Sequence, residues 1–183
     1  MSILKLNSKL LKLDNKLVTL TPAAQFDDWF LPSLQELSGV RALYLAGKGN
    51  IDGGRYWTSS DYGTGDATYL EMSSGGFGGT PKSSSQRVRP IRSFVSSDVY
   101  NLHDTGPEGG FITDIVGAGP YTYYEAYSSD LTSSIWSNIS TDVSQGTWAT
   151  RTAVGAGLNN SNAIVVQGGH TTSAAKNCLD LIS

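Results

Sequence analysis

The segment DDWFLPSLQEL, residues 27–37, carries the clearest structural signal in the chain. Ser33 and Glu36 form the capping-box pattern, in which the serine oxygen accepts a helix amide and the glutamate carboxylate accepts the Ser33 amide. Apolar residues then recur at helical spacing, at Leu37, Val40 and Tyr44. Gly47 follows as a helix stop, because glycine adopts the left-handed conformation that ends many helices. The pattern predicts a helix over residues 33–46 with its apolar face packed on a sheet.

Short apolar runs separated by clusters of glycine, serine and aspartate follow this helix. They are YWTSS at 56–60, ATYLEM at 67–72 and RVRPIRSF at 87–94. Alternation of apolar and polar residues in the last two runs predicts antiparallel strands with one buried face. We expect Tyr56 and Trp57 to belong to the core. The run GGFGG at 75–79 lacks the Lys-Ser/Thr pair of a phosphate-binding loop and predicts a hairpin tip.

The composition narrows the class of protein. Of the 183 residues, 39% are hydrophobic, 16% are charged and 21 are glycine, which is typical of a loop-rich globular domain rather than a disordered chain. The formal charge of -3 argues against a dedicated nucleic-acid-binding protein. No apolar run approaches the roughly 20 residues of a membrane span, and the N-terminal segment lacks the continuous apolar core of a signal peptide.

The sequence offers little material for catalysis or metal binding. The single cysteine, Cys178, excludes an internal disulfide and a cysteine-based zinc site, and we expect it to be a buried small residue. His103 and His170 lie in turn-forming stretches with no nucleophile beside them. Asp27 and Asp28 could serve as an acid/base pair, but carboxylates ahead of a helix more often interact with its dipole. We therefore expect no enzyme, no metal and no cofactor.

The N-terminal segment differs in charge from the rest of the chain. Residues 1–20 contain four lysines and one aspartate, whereas residues 99–183 contain two cations and seven acids. The run LKLNSKL at 4–10 is followed by the similar LKLDNKL at 11–17, which favours two or three short strands joined by turns. The alternative is an amphipathic helix with one apolar face, formed by Leu6, Leu10, Leu13, Leu17 and Leu20.

We define residues 1–25 as the N-terminal arm. Left exposed, its leucines and open strand edges would promote aggregation. We therefore expect the arm to dock onto another copy of the chain or a larger assembly, the alternative being a first strand of the domain itself. The expected assembly residues are Leu4, Leu6, Leu10, Leu11, Leu13 and Leu17.

Three motifs occur together in a fixed order. They are WFLPS with its helix at 29–33, YWTSS at 56–60 and RVRPIR at 87–92. As a set they resemble the second half of the DUF1566 domain. The resemblance implies an α+β fold similar to C-type lectins, that is, a loop-rich domain with a twisted antiparallel sheet and two flanking helices.

The rest of the chain resembles the first half of the same family. The stretch at 100–112, with its DTGP and GG motifs, resembles the opening strand of the family. Later segments resemble the next strand, the first helix and the piece after it, at 123–136, 155–165 and 174–180. The exchanged order implies a circularly permuted domain over 26–183, with 26–95 as the second half of the family pattern and 99–183 as the first. The alternative is that half-domains pair between protomers.

Three arginines belong to the last framework motif. We expect Arg87, Arg89 and Arg92 to lie on one strand, with the first two on one face and the third on the other. A guanidinium binds carboxylates and sulfates bidentately, so these residues could engage acidic sugars. Because they belong to the family's framework, we favour pairing with the domain's own acids and carbonyl groups.

Two loop regions are candidates for a ligand-binding surface. The loop at 61–82 combines serine, glycine and aromatic residues, which is the composition of adaptable binding surfaces. The serine- and threonine-rich region at 117–150 could face it. The candidate ligand-binding residues are Asp61, Tyr62, Asp66, Tyr69, Phe77, Lys82, Tyr121, Tyr123, Trp136 and Trp148.

These expectations lead to a function by fold-level analogy. We expect a structural protein of a phage virion, as a head or tail fibre or decoration component, that displays a lectin-like domain for host attachment. It would be assembled in the host cytoplasm and exposed on the particle surface. Its partners would be other virion proteins bound through residues 1–20, further copies of the chain in a homo-oligomer such as a trimer, and a host glycan or surface protein. The alternatives are a purely structural capsid or tail component and a bacterial surface adhesin module.

Overall fold

The N-terminal arm contains a short antiparallel pair of strands. The structure is a computed structural model that describes residues 26–182 in full and the backbone of 11–13 and 16–18. Strand β1 (Leu11–Leu13) pairs with β2 (Lys16–Val18), with Leu11 opposite Val18. The strand prediction is therefore confirmed for this part of the arm. The expected assembly residues Leu4, Leu6 and Leu10 lie outside the described residues.

Residues 26–182 form an α+β fold around two sheets. The larger sheet has the strand order β10-β6-β3-β4-β5, in which β3 and β6 run parallel and the other neighbours antiparallel. Its strands are β3 (Arg55–Gly63), β4 (Asp66–Glu71), β5 (Phe77–Pro81), β6 (Ser85–Val88) and β10 (Leu131–Ile135). The smaller sheet is antiparallel in the order β7-β9-β8. Its strands are β7 (Ile91–Val95), β8 (Phe111–Val116) and β9 (Thr122–Ala126).

Four helices of residues 26–182 pack around these sheets. They are α1 (Leu34–Leu45), α2 (Trp148–Thr152), α3 (Gly157–Val165) and α4 (Ala174–Leu179). Across the described part of the chain, none of them is long and apolar enough to cross a lipid bilayer.

Helix α1 begins and ends as the sequence predicts. The Ser33 hydroxyl accepts the Glu36 amide at 3.3 Å, and the Ser33 amide donates to the Glu36 carboxylate at 2.6 Å. At the other end Gly47 has a φ of 67°, the left-handed conformation that a C-terminal glycine permits. The helix prediction and its capping box are confirmed.

The run at 87–94 is not one strand, which corrects the sequence prediction. Its first part pairs with β10 through Val88, and its second part pairs with β9 through Ile91, in the other sheet. The break falls at Arg89 and Pro90, where proline supplies no amide for continued pairing. Consequently Arg87 and Arg92 lie on strands of different sheets.

The interior contains residues from both parts of the chain. The first apolar cluster packs α1 against both sheets and contains Leu37, Val40, Leu43, Tyr56, Leu70, Tyr124 and Ala126. The second joins the larger sheet to α3 and α4 and contains Leu31, Trp57, Val88, Trp136, Ile164 and Cys178. Tyr56, Trp57 and Cys178 are fully buried, as expected from the sequence. The segments 26–95 and 99–182 are thus packed into each other.

The Glu36 carboxylate connects these two segments. One oxygen accepts the Ser33 amide, and the other accepts the amides of Gly155 at 2.8 Å and Gly157 at 3.4 Å. The Ser33 hydroxyl in turn donates to the carbonyl of Ala153 at 2.8 Å. Burial raises the pKa of Glu36, and the backbone hydrogen bonds oppose that shift.

A second carboxylate, that of Asp114 on β8, is half-buried and faces α1. One of its oxygens is enclosed without a hydrogen-bond partner among the described residues and lies so close to Gly39 that a Cβ there would overlap it. Burial raises the pKa of Asp114 to about 7, and the negative charge of Glu36 adds to the shift. Below about pH 7, the Asp114 side chain next to α1 is therefore mostly in its neutral form.

We predict that Glu36→Ala destabilises the fold strongly. The substitution leaves the amides of Ser33, Gly155 and Gly157 without their acceptor, which costs about 3 kcal/mol or more of unfolding free energy. Chemical denaturation measures this loss. Gln35→Ala, at an exposed position of the same helix turn, is the matched control and should change the unfolding free energy by less than about 0.5 kcal/mol. Similar values for the two variants would show that Glu36 does not join the segments.

We also predict that Asp114→Asn changes the pH dependence of stability. The Asp114 carboxyl group binds its proton more tightly in the folded state than in the unfolded chain. Its contribution to the unfolding free energy is therefore complete below about pH 4 and is lost as the pH rises through about 7. The variant should therefore gain stability relative to the wild type between about pH 5 and about pH 8. Denaturation at both pH values measures this gain. The exposed Asp98→Asn is the control. A constant difference between Asp114→Asn and the wild type would contradict the assignment.

Candidate ligand-binding site

Three exposed aromatic side chains meet on the larger sheet. The ring of Trp148 lies edge-to-face with Tyr62 at a centroid distance of 5.8 Å and is stacked with Phe77 at 6.3 Å. The exposed fractions are 47% for Tyr62, 55% for Phe77 and 38% for Trp148. We call these three residues the aromatic patch. It unites the segment 61–82 with the region at 117–150, which the sequence analysis considered as facing surfaces. The segment 61–82 was predicted as a loop, and the structure corrects this, because it holds the end of β3 together with β4 and β5.

The glycine-rich strand β5 makes room for the patch. Phe77 and Gly79 lie opposite Leu70 and Thr68 of β4, and therefore on one face of the sheet. The Tyr62 ring lies directly over Gly79, where a Cβ would overlap it. The GGFGG run was predicted as a hairpin tip, and it contains both the turn before β5 and the first residues of that strand.

Hydrogen bonds at both ends of α2 fix the position of this helix, which carries Trp148. The Thr147 hydroxyl accepts the Thr150 amide at 3.3 Å and caps the helix. The carbonyl of Arg151 accepts hydrogen bonds from Ser60 at 2.8 Å and from Asn160 at 2.6 Å. The short helix is thus fixed to β3 and α3, which orders the patch before any ligand binds.

The sequence analysis did not select Arg151 as a site residue, although it borders the patch. Its guanidinium carbon lies 5.2 Å from the centroid of the Trp148 ring. No carboxylate among the described residues forms an ion pair with it. The available signal was its position three residues after Trp148, since residues i and i+3 share one face of a helix.

Two charged candidates, Asp61 and Lys82, lie in the interior instead of a binding surface. Their side chains form an ion pair at 2.9 Å with exposed fractions of 2% and 1%. Lys82 also donates to the Thr141 carbonyl at 2.8 Å, and Asp61 accepts the Val143 amide at 2.7 Å. Because the ion pair and these hydrogen bonds engage both side chains, Asp61 and Lys82 link β3 to the loop at 137–147. Their selection as ligand-binding residues is corrected.

Two aromatic candidates are also buried. Trp136 is fully buried, and its indole donates to the Thr58 carbonyl at 2.7 Å. Tyr123, with an exposed fraction of 1%, packs against Phe94 and Tyr100 in the smaller sheet. Neither can contact a ligand, because the surrounding residues cover both rings.

The remaining candidates lie outside the patch or beside it. Tyr121 is exposed but lies 6.1 Å from Tyr123, in the smaller sheet. Tyr69 is half-buried beneath the guanidinium of Arg55 at 4.3 Å. Asp66 is half-buried at the start of β4.

The framework arginines pair with acids of the chain, as we favoured from the sequence. The ion pairs are Arg87–Asp52 at 3.0 Å, Arg89–Asp130 at 2.6 Å, Arg92–Asp28 at 2.8 Å and Arg92–Glu125 at 3.5 Å. Arg89 also donates to the carbonyls of Gly49, Asn50 and Tyr127. These guanidinium groups therefore stabilise the fold, and Asp28 binds Arg92 rather than serving the α1 dipole.

A pocket lies between the end of α2 and the start of α3. This pocket has a volume of about 420 Å³ and is lined by polar side chains and backbone that include Gln145, Thr150, Asn159 and Asn160. Its lining, which lies wholly within the described residues, carries no ionisable side chain.

Within residues 26–182, no three histidine, cysteine or acidic side chains come together as metal ligands. Burial raises the pKa of the Cys178 thiol, which keeps it protonated.

Comparison with known proteins adds no assignment to this geometry. No family model, no curated protein and no solved structure matches the chain. The resemblance to the DUF1566 domain therefore stays a prediction from the motifs, and the function is argued from the site itself.

Proposed function

We propose that this chain is a structural protein of a phage virion that binds host-surface glycans through the aromatic patch. In this proposal the domain binds without catalysing a reaction, and the N-terminal arm attaches it to the particle. The localisation is the virion, with the patch facing outward.

The observation that carries the proposal is the exposure of three aromatic rings on a fixed framework. Exposed rings attract the C–H faces of sugars, and a tyrosine adds a hydroxyl that can hydrogen-bond. The sequence segments that carry the three rings are rich in glycine, serine and threonine, whose small size permits a ligand to approach closely. An exposed cluster of this kind on a soluble surface is typical of a recognition site.

The proposed fold is a circularly permuted lectin-like domain of the DUF1566 type. It is supported by the order of the WFLPS, YWTSS and RVRP motifs and by the mixing of 26–95 with 99–182 in both apolar clusters. The Glu36 contacts to Gly155 and Gly157 join the two halves of the proposed family pattern within one chain.

The proposed role of the arm follows from its composition. Its interleaved leucines and lysines could bury an apolar face against other virion proteins while the lysines meet acidic surfaces. The acidic segment 99–183 of a neighbouring copy offers such a surface, which favours a homo-oligomer, for example a trimer.

We predict that Trp148→Ala weakens glycan binding by about 2 kcal/mol, or roughly 30-fold, because the variant removes the central ring of the patch. A glycan array followed by titration of the bound glycans measures the loss. Tyr121→Ala is the matched control, since its exposed fraction of 39% is close to the 38% of Trp148 and it lies directly before β9 of the smaller sheet, outside the patch. Equal losses in both variants would place binding elsewhere. An array on which the wild type binds no glycan, together with normal incorporation into particles, would favour the purely structural alternative.

We predict that deletion of residues 2–20 abolishes assembly. The nine large aliphatic residues in this segment each contribute about 1.5 kcal/mol or more when buried against a partner. The native mass in solution and the copy number in particles measure the effect, with the thermal transition as the check on folding. Replacing Lys5, Lys9, Lys12 and Lys16 by glutamine keeps the leucines and removes only the contacts to acidic surfaces, so it should weaken assembly less than the deletion does. A truncated protein with unchanged mass and copy number would contradict the role of the arm.

A further inference from the structure

We propose that the ligand of the aromatic patch is an acidic glycan, whose carboxylate or sulfate binds the Arg151 guanidinium while a sugar ring packs on Trp148. This inference rests on the proposed glycan-binding function and specifies its ligand class. It starts from the charge that the structure places beside the three rings.

Arg151 differs from most cations of the described chain in its contacts. Ion pairs with carboxylates engage Lys82, Arg87, Arg89, Arg92 and Lys176. Arg41 and Lys48 donate to the carbonyls of Met72 and His103. In residues 26–182, the charged groups of Arg55 and Arg151 alone have neither an ion pair nor a hydrogen bond, and both lie over aromatic rings.

The two arginines differ in burial. Arg55 is exposed, so water satisfies its guanidinium. Arg151 is half-buried, and its Nε is enclosed without an acceptor among the described residues. Its two terminal nitrogens are neither enclosed nor hydrogen-bonded, so they are the groups that a ligand can reach. A partly desolvated cation without a counter-charge attracts an anion more strongly than a fully hydrated one.

The geometry limits how this anion can bind. The Arg151 backbone is held by Ser60 and Asn160, and the guanidinium lies over the Trp148 ring, so the side chain loses little freedom when a ligand arrives. A planar guanidinium binds a carboxylate or sulfate through two parallel hydrogen bonds. Asp61, the acid of β3, is already bound to Lys82 and does not compete. Charge and stacking surface are therefore adjacent, as an acidic sugar requires.

The general electrostatics of the chain do not account for such binding. The formal net charge is -3, and the segment that contains Arg151 is the acidic one. Long-range attraction would thus favour cationic ligands, and a preference for anions has to come from the local contact. This makes the inference specific to one residue.

The test is a glycan array that carries neutral, sialylated, uronic-acid-containing and sulfated oligosaccharides, probed with the full chain. We expect the wild type to prefer acidic glycans. Arg151→Gln should lose about tenfold or more in affinity for them and should retain its weaker binding of neutral glycans. Arg151→Lys should fall between the two, because it keeps the charge and loses the bidentate fork.

Arg55→Gln is the matched control, since Arg55 is also a guanidinium over an aromatic ring without a carboxylate partner. It should leave the preference unchanged. Increasing salt should weaken binding of acidic glycans by the wild type and affect Arg151→Gln much less. Thermal unfolding of each variant checks that the fold is intact.

The outcomes separate the two proposals. A wild type that binds neutral glycans as tightly as acidic ones, with loss in Trp148→Ala, would overturn the ligand class and leave glycan binding in place. Equal losses in Arg55→Gln and Arg151→Gln would also overturn it, because the effect would then be one of general charge. A wild type that binds no glycan of either kind would overturn glycan binding itself, and the ligand class with it.

Discussion

The buried carboxylate of Glu36 is the contact on which the arrangement of the chain depends. It caps α1 through Ser33 and accepts two amides more than a hundred residues further along, at Gly155 and Gly157. A Cβ at Gly157 would overlap both Glu36 and Phe30, so only glycine permits this approach. Because α2 ends at Thr152, three residues before Gly155, the same contact helps fix the helix that carries Trp148. Three backbone hydrogen bonds offset part of the cost of burying this charge, and the pKa of Glu36 stays above its usual value because burial outweighs them.

The local elements were accessible from the sequence, whereas their junctions were not. The capping box of α1 involves residues three positions apart, so the pattern alone predicted the helix and its start. The second half of the Glu36 interaction joins positions separated by about 120 residues, and no periodicity reports it. The split of 87–94 between two sheets has the same origin. Alternation predicts a strand, but the partner on each side of Pro90 is chosen by distant segments.

The candidate site shows the same division at the level of single residues. Composition singled out the 61–82 and 117–150 regions as a candidate ligand-binding surface, and the exposed rings of Tyr62, Phe77 and Trp148 lie in them. It could not separate them from Trp136 and Tyr123, because burial of an aromatic ring depends on what packs over it. Asp61 and Lys82 show this for charges. Each side chain on its own is typical of an exposed loop residue. Only their ion pair, which joins positions 21 residues apart, allows both charges to be buried in the interior.

The hydrogen bonds that fix α2 do not involve the rings of the aromatic patch, and this separation has a functional consequence. The buried polar contacts that order α2 involve Ser60, Asn160 and the Arg151 carbonyl, and none of them uses the rings of the patch. The guanidinium of Arg151 lies outside this network even though its backbone is part of it. Substitution of the exposed side chains can therefore change ligand preference with little loss of stability, since exposed positions seldom contribute much to the unfolding free energy. Gly79 is the exception, because it belongs to β5 and also contacts the Tyr62 ring. Any side chain at this position would displace the ring as well as alter the strand.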